Sequence, residues 1–201
     1  MLKRLILASS SPRRYDLLRQ LGIEFDVIPS RIEEDVLPKE SPRSHVLRLA
    51  EAKASEIAER YPNRWVLGAD TIVYINHKIL GKPKDREEAQ KILRQLSGKE
   101  HQVFTGVSIK HLKKNRADQK VVRSFVKIKR LAPSEIDWYI QTGEPFDKAG
   151  GYAAQGIGSF MIESIRGSYT NVIGLPLCEV LQMLLRLGAI RVSKSGLRMI
   201  D

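Results

Sequence analysis

The amino-acid sequence predicts an α/β fold, on three observations. Short apolar, β-branched runs, the longest being Trp65 to Ile75, alternate with stretches whose leucines and alanines return at helical spacing. The change-overs carry helix signals, with Ser-Pro at Ser11–Pro12 and Ser41–Pro42 and glycine at Gly22, Gly143 and Gly188. Finally, His101–Leu112 and Val121–Leu131 alternate apolar and polar residues on either side of the polar loop "KKNRADQ", as an antiparallel pair does.

With 201 residues, 42% hydrophobic and 28% charged, the chain reads as one soluble globular domain over residues 1–201 with a basic, partly loose tail from about residue 190. The single cysteine, Cys178, excludes an internal disulfide framework and is expected as a core thiol on the last helix. The apolar run Leu5 to Ala8 is too short for a signal-peptide core, and no long uncharged apolar span occurs, so a cytoplasmic protein with no membrane partner is expected. A net charge of +11 points to anionic partners without choosing among nucleotides, nucleic acid and anionic surfaces.

The elements follow in order. Leu5 to Ala8 is a short buried strand, and Ser11 with Pro12 starts a helix through Leu17, Leu18 and Leu21. The turn "SSSPRR" between them sets a helix N-terminus beside Arg13 and Arg14, which suits a phosphate and equally describes a capped helix with two solvated arginines. Ile23, Phe25 and Val27 form a second strand, followed by the acidic loop "RIEEDVLPKESPRS". The helix from Ser41–Pro42 places Val46, Leu49, Ala50, Ala54, Ile57 and Tyr61 on one stripe, and Lys53 falls inside it. Lys53 either snorkels to water or delivers a fixed positive charge into a cleft.

Asp70 interrupts the apolar run Trp65 to Ile75. A carboxylate there needs a metal, a cation or several donors to meet it, or a strand-end position bonded to backbone amides. Gly68, two residues earlier, admits a close approach to the backbone. Asn76 and His77 turn the chain into Lys78 to Leu80, and "GKPKD" puts Lys82 in a loop before a helix capped by Asp85 and Glu88 and running to about Leu96. Ser134 is expected to start a helix that stops at Gly143. The glycine-rich stretch "GEPFDKAGGYAAQGIGSF" leaves Asp147, Lys148 and Gln155 as its polar chemistry. Pro176 begins a last helix that ends near Gly188.

Arg13, Arg14, Lys53, Lys82 and Lys148 are set against Glu33, Glu34, Asp70 and Asp147. Cations to hold a polyphosphate, around carboxylates that hold a divalent metal or activate water, describe phosphoanhydride hydrolysis. The histidines lack zinc-ligand spacing, and no Walker loop, G-x-S-x-G elbow or dinucleotide fingerprint occurs. Ser9, Ser10 and Ser11 have no identifiable base, so water is the expected nucleophile.

Four ordered blocks, "SSSPRR", "GADTIV", "GKP" and "EPFDKAG...QG", spread over about Leu5 to Leu187, resemble the Maf family of nucleoside triphosphate pyrophosphatases. The resemblance implies an elongated mixed sheet flanked by helices, akin to the inosine-triphosphatase (Ham1-like) group, with two lobes around a cleft. It implies cleavage between the α and β phosphates with Mg²⁺ or Mn²⁺, and a homodimer. By matching motif positions, Asp70 corresponds to the catalytic carboxylate, while Arg13, Thr71 and Gln155 correspond to positions tied to substrate choice. The form "DKAG...Q" is similar to the branch acting on dTTP and UTP, with Ala153 and Ala154 departing from the family's usual pair. With the reading of the residues, this gives Asp70, Lys53 and Lys82 as catalytic; Ser9, Ser11, Arg13, Arg14, Thr71, Asp147, Lys148 and Gln155 as substrate-binding; and Glu34 and Asp70, with Glu33 nearby, as metal-holding. The resemblance further implies a house-cleaning role, the removal of non-standard nucleotides before incorporation, with modified pyrimidine nucleotides as candidate substrates beside dTTP and UTP.

A basic nucleic-acid-binding module is the alternative, drawing on "HLKKNR", "KIKR" and "RVSKSGLR". None of these runs interleaves aromatic residues as a stacking platform does, so nucleic acid is not the expected partner.

Overall fold

The computed structural model describes residues 4–194 and 196–200. Strand β1 (Leu5–Leu7) leads through α1 (Pro12–Arg19) to β2 (Phe25–Val27), and α2 (Pro42–Arg60) leads to β3 (Val66–Ile75). Then follow β4 (Lys78–Leu80), α3 (Arg86–Leu96), β5 (Glu100–His111), β6 (Arg116–Ile128) and α4 (Pro133–Gln141). Three short 3-10 turns within residues 144–161 precede β7 (Ile162–Arg166), α5 (Tyr169–Ile173), α6 (Leu177–Arg186), β8 (Ile190–Ser193) and β9 (Gly196–Met199).

The main sheet has the order β2-β1-β3-β5-β6-β7, with β4 also on β3. Strand β1 runs parallel to β2 and β3, whereas β3–β4 and β6–β7 are antiparallel, so the sheet is mixed and the fold is α/β. Parallel neighbours need crossovers, and α1 and α2 supply them. The chain divides into two compact units: one runs to Asp70, takes Thr105–Val122 and resumes at Gly174, and the other is Thr71–Phe104 with Arg123–Ile173.

In the first unit, α2 packs its stripe on β1 and β3 through Ile6, Ala8, Ala54, Ile57, Ala58 and Val66. The approach is close. A Cβ on Gly68 would stand 2.3 Å from the Ala50 carbonyl oxygen, and one on Gly106 would stand 2.1 Å from that of Val46. The close partner that Gly68 admits is therefore the backbone of α2. In the second unit, Val73, Leu93, Val103, Val126, Tyr139 and Met161 belong to one core. Asn76 and His77 both have positive φ, 50° and 60°, as a two-residue hairpin turn with native twist requires.

Several expectations are corrected. Helix α4 begins at Pro133, not Ser134, because Pro133 takes the first helical position and Glu135 accepts the Ala132 N–H at 2.8 Å. Strand β6 starts at Arg116, so the polar loop is shorter than "KKNRADQ"; the turn closes when Asn115 N–H donates to Leu112 O. Cys178 is exposed, not a core thiol. Helix α6 buries Val180, Met183 and Leu184, and a position two residues before Val180 points away from that face. Residues 190–193 and 196–199 pair as a hairpin, which replaces the loose tail. Among the described residues no helix is long and apolar enough to cross a membrane.

Candidate active site

Ser11 caps α1, its hydroxyl accepting from Arg14 N–H, and Pro12 occupies the first turn. Ser9 is buried, and its Oγ accepts from Ser11 N–H and from Arg14 Nη1, both at 3.2 Å. Arg14 also donates Nη1 to the Ala69 carbonyl at 2.8 Å and Nε to the Gly174 carbonyl at 2.9 Å. Its fork thus fastens the serine turn to β3 and to the start of the α5–α6 connection. Nε and Nη1 thus make a structural tie within the protein.

Lys53 stands on the α2 stripe, with its side chain 7% exposed. Its Nζ donates to Glu34 Oε1 at 2.6 Å and to Asp70 Oδ1 at 2.8 Å. It carries a fixed charge and does not snorkel to open water. Asp70 is equally buried at 7%, whereas Glu34, from the loop after β2, is 53% exposed. Lys53 therefore joins a buried carboxylate to one at the surface. Burial lowers the pKa of Arg14, and the nearby Asp70 and Glu34 charges oppose that while Arg13 adds to it. Two carboxylates and three cations share one electrostatic neighbourhood.

Glu33 is exposed, and the structure gives the Lys53 contact to Glu34. Thr71 follows Asp70 in β3 and is half-buried. In the second unit, Lys148 donates to the Glu144 carbonyl at 2.7 Å and pairs with Asp147. Lys82 is exposed two residues past β4, and Gln155 is exposed in the glycine-rich stretch. Ser9, Ser11, Arg13, Arg14, Glu34, Lys53 and Asp70 belong to the first unit; Thr71, Lys82, Asp147, Lys148 and Gln155 belong to the second.

A network that the sequence reading missed anchors the loop carrying Glu34. Glu40 accepts from Arg48 Nε at 2.7 Å, from Arg48 Nη2 at 2.8 Å and pairs with His45 Nδ1 at 2.9 Å, while Arg48 Nη2 also donates to the Asp35 carbonyl. The loop's other end is held where Arg31 N–H donates to Glu56 at 3.0 Å. The available signal was the i, i+3 spacing of His45 and Arg48 on α2 behind a glutamate.

A family model described as Maf-like protein matches residues 4–187. The chain belongs to the Maf family. Two Maf relatives carry the name dTTP/UTP pyrophosphatase. The protein from Syntrophus aciditrophicus (strain SB) is 51% identical over 191 residues, covering 95% of this chain and 93% of the relative. That from Syntrophotalea carbinolica is 48% identical over 193 residues, covering 95% and 88%. Among solved structures, a nucleoside-triphosphatase / dITP/XTP pyrophosphatase from Mycobacterium abscessus aligns at a TM-score of 0.45 and 13% identity, covering 91% of this chain and 95% of the other.

Proposed function

We propose that this Maf protein is a nucleoside triphosphate pyrophosphatase that hydrolyses dTTP and UTP to the monophosphate and pyrophosphate. The observation that carries the proposal is the Lys53 bridge between buried Asp70 and surface Glu34, beside the Ser9–Arg14 turn. The names of relatives near 50% identity supply the substrate.

Water attacks the α phosphorus, the bond from that phosphorus to the α,β-bridging oxygen breaks, and pyrophosphate leaves. Asp70 takes the proton from the attacking water. Lys53 fixes the Asp70 carboxylate and places a positive charge beside the reacting phosphate. Ser9, Ser11, Arg13 and Arg14 bind the phosphates at the start of α1, and Arg14 also keeps that turn in shape. Lys82 and Lys148 offset charge on pyrophosphate, with Asp147 orienting Lys148. Thr71 and Gln155 select the base.

Glu34 and Asp70 fit a divalent cation. Both turn an oxygen to one lysine nitrogen, and Mg²⁺ is held by one or two carboxylates together with phosphate oxygens and water. Such an ion, Mg²⁺ or Mn²⁺, supplies positive charge to the phosphate oxygens when bound. The reading includes modified pyrimidine triphosphates as further substrates, a homodimer and a cytoplasmic location.

The test is turnover of a panel of nucleoside triphosphates with Mg²⁺ or Mn²⁺, with products separated. Monophosphate plus pyrophosphate from dTTP and UTP is the expected result. Diphosphate plus phosphate would move the cleavage site. No turnover, with steeply salt-dependent oligonucleotide binding, would favour the binding-module reading instead.

A further inference from the structure

Glu144 lies in the second unit, 11 residues before Gln155 in sequence. Its carboxylate uses both oxygens on the turn that follows Gln155. Oε2 accepts from Ile157 N–H and Oε1 from Gly158 N–H, each at 3.0 Å. Tyr139 Oη donates to Oε1 at 3.2 Å from the core of α4. The Glu144 carbonyl oxygen meanwhile accepts from Lys148 Nζ.

The two glycines of this turn are shaped by that seat. Gly156 has φ +87°, and a Cβ there would stand 3.0 Å from Glu144 Oε2. A Cβ on Gly158 would stand 2.7 Å from Tyr139 Oη and 2.9 Å from Ala153 N. Tyr139 is fully buried, and burial followed by the Glu144 charge pushes its hydroxyl above the usual tyrosine range, so it stays a donor. A carboxylate that accepts two successive N–H groups and a buried hydroxyl fixes the backbone it touches. Gln155, exposed, immediately precedes that fixed turn.

From this geometry we infer that Glu144 is a positioning residue for base selection: it moulds the Gly156–Gly158 turn so that the Gln155 amide meets the pyrimidine edge in one orientation. The inference rests on the proposed pyrimidine triphosphate activity and on Gln155 reading the base. It adds a residue that touches no substrate yet sets which substrate is chosen.

Glu144→Gln replaces one accepting oxygen by an NH₂ that faces a backbone N–H, so the turn loses its mould while the side-chain volume stays the same. The kcat/KM ratio of dTTP over GTP is expected to fall about tenfold, by a higher KM for dTTP with kcat nearly unchanged. In a Gln155→Ala background the same substitution should change the ratio less than about twofold, because both residues act through one amide. Tyr139→Phe keeps the packing and removes one hydrogen bond to Glu144. It should lower the ratio about threefold, and it carries the test if Glu144→Gln does not fold. An equal fall in kcat/KM for every nucleotide, or an undiminished effect in the Gln155→Ala background, overturns the inference. Wild-type protein inactive on every triphosphate overturns the proposed function itself, and is told apart from an active enzyme whose base ratio does not move.

Discussion

Lys53 and Asp70 form an ion pair at 2.8 Å with both side chains 93% removed from solvent, and Lys53 also meets Glu34 at the surface. Two charges in such a place hold each other: removing Lys53 takes from the buried Asp70 carboxylate its ion-pair partner, whereas removing Asp70 leaves Lys53 with Glu34 alone. The pair therefore constrains folding and chemistry together, and substitutions that keep its hydrogen bond separate the two.

Asp70→Asn keeps an amide oxygen to accept from Lys53 while removing the proton acceptor. The fold is expected to persist, and turnover should fall by about 10² to 10⁴, the range for a lost acid-base group. Steady-state kinetics beside a thermal unfolding curve check this. Near-normal hydrolysis would remove Asp70 from the mechanism.

Lys53→Met keeps the stem that packs on the stripe and deletes the ammonium. The Asp70 carboxylate then stays buried beside no lysine, and the unfolding free energy should drop by about 3–5 kcal/mol. Urea unfolding measures it. A variant as stable as wild type would mean that Asp70 is met by other donors.

Much of this was legible in the sequence, and the reasons are physical. Asp70 stood out because it interrupts a continuous apolar run and Lys53 because it falls inside an apolar stripe of period 3.6, and a charge in either place has to be met by another group. The Ser11–Pro12 start of α1 was legible because capping is local chemistry. Cys178 was misplaced because its type suggests burial whereas its phase on α6 denies it. The tail hairpin hid behind basic residues, since strands of four residues carry too little alternation to read. Glu40 and Glu144 sit in segments without period, and their partners lie in other elements, so only tertiary structure reveals them.

His101 is buried in the second unit, with Nε2 2.7 Å from Tyr152 Oη. Burial holds its pKa at about 4, below the usual 6.5. Between those values the unfolded chain binds the proton and the folded one does not, so stability present above pH 6.5 is lost as pH falls toward 4. The loss amounts to roughly 3 kcal/mol at most. Denaturant unfolding at a series of pH values should show that slope, and His101→Gln should flatten it. An unchanged slope would mean that His101 charges freely in the fold.

Glu40 gives the lower window. Its carboxyl is held at about 2, first by the Arg48 hydrogen bonds and then, against burial, by His45. The folded value lies below the unfolded one, so this stability is full above about pH 4.5 and disappears as pH falls toward 2. Glu40→Gln should therefore be less stable than wild type at pH 7 and lose less between pH 4.5 and 2. The same substitution weakens Arg48, which also holds the Asp35 carbonyl next to Glu34. If the anchored loop is what presents Glu34 to Lys53, kcat/KM at pH 7 should fall by about tenfold, the effect of losing one charge-assisted hydrogen bond. A variant that loses the stability but keeps full kcat/KM would show that Glu34 holds its position without the Arg48 anchor.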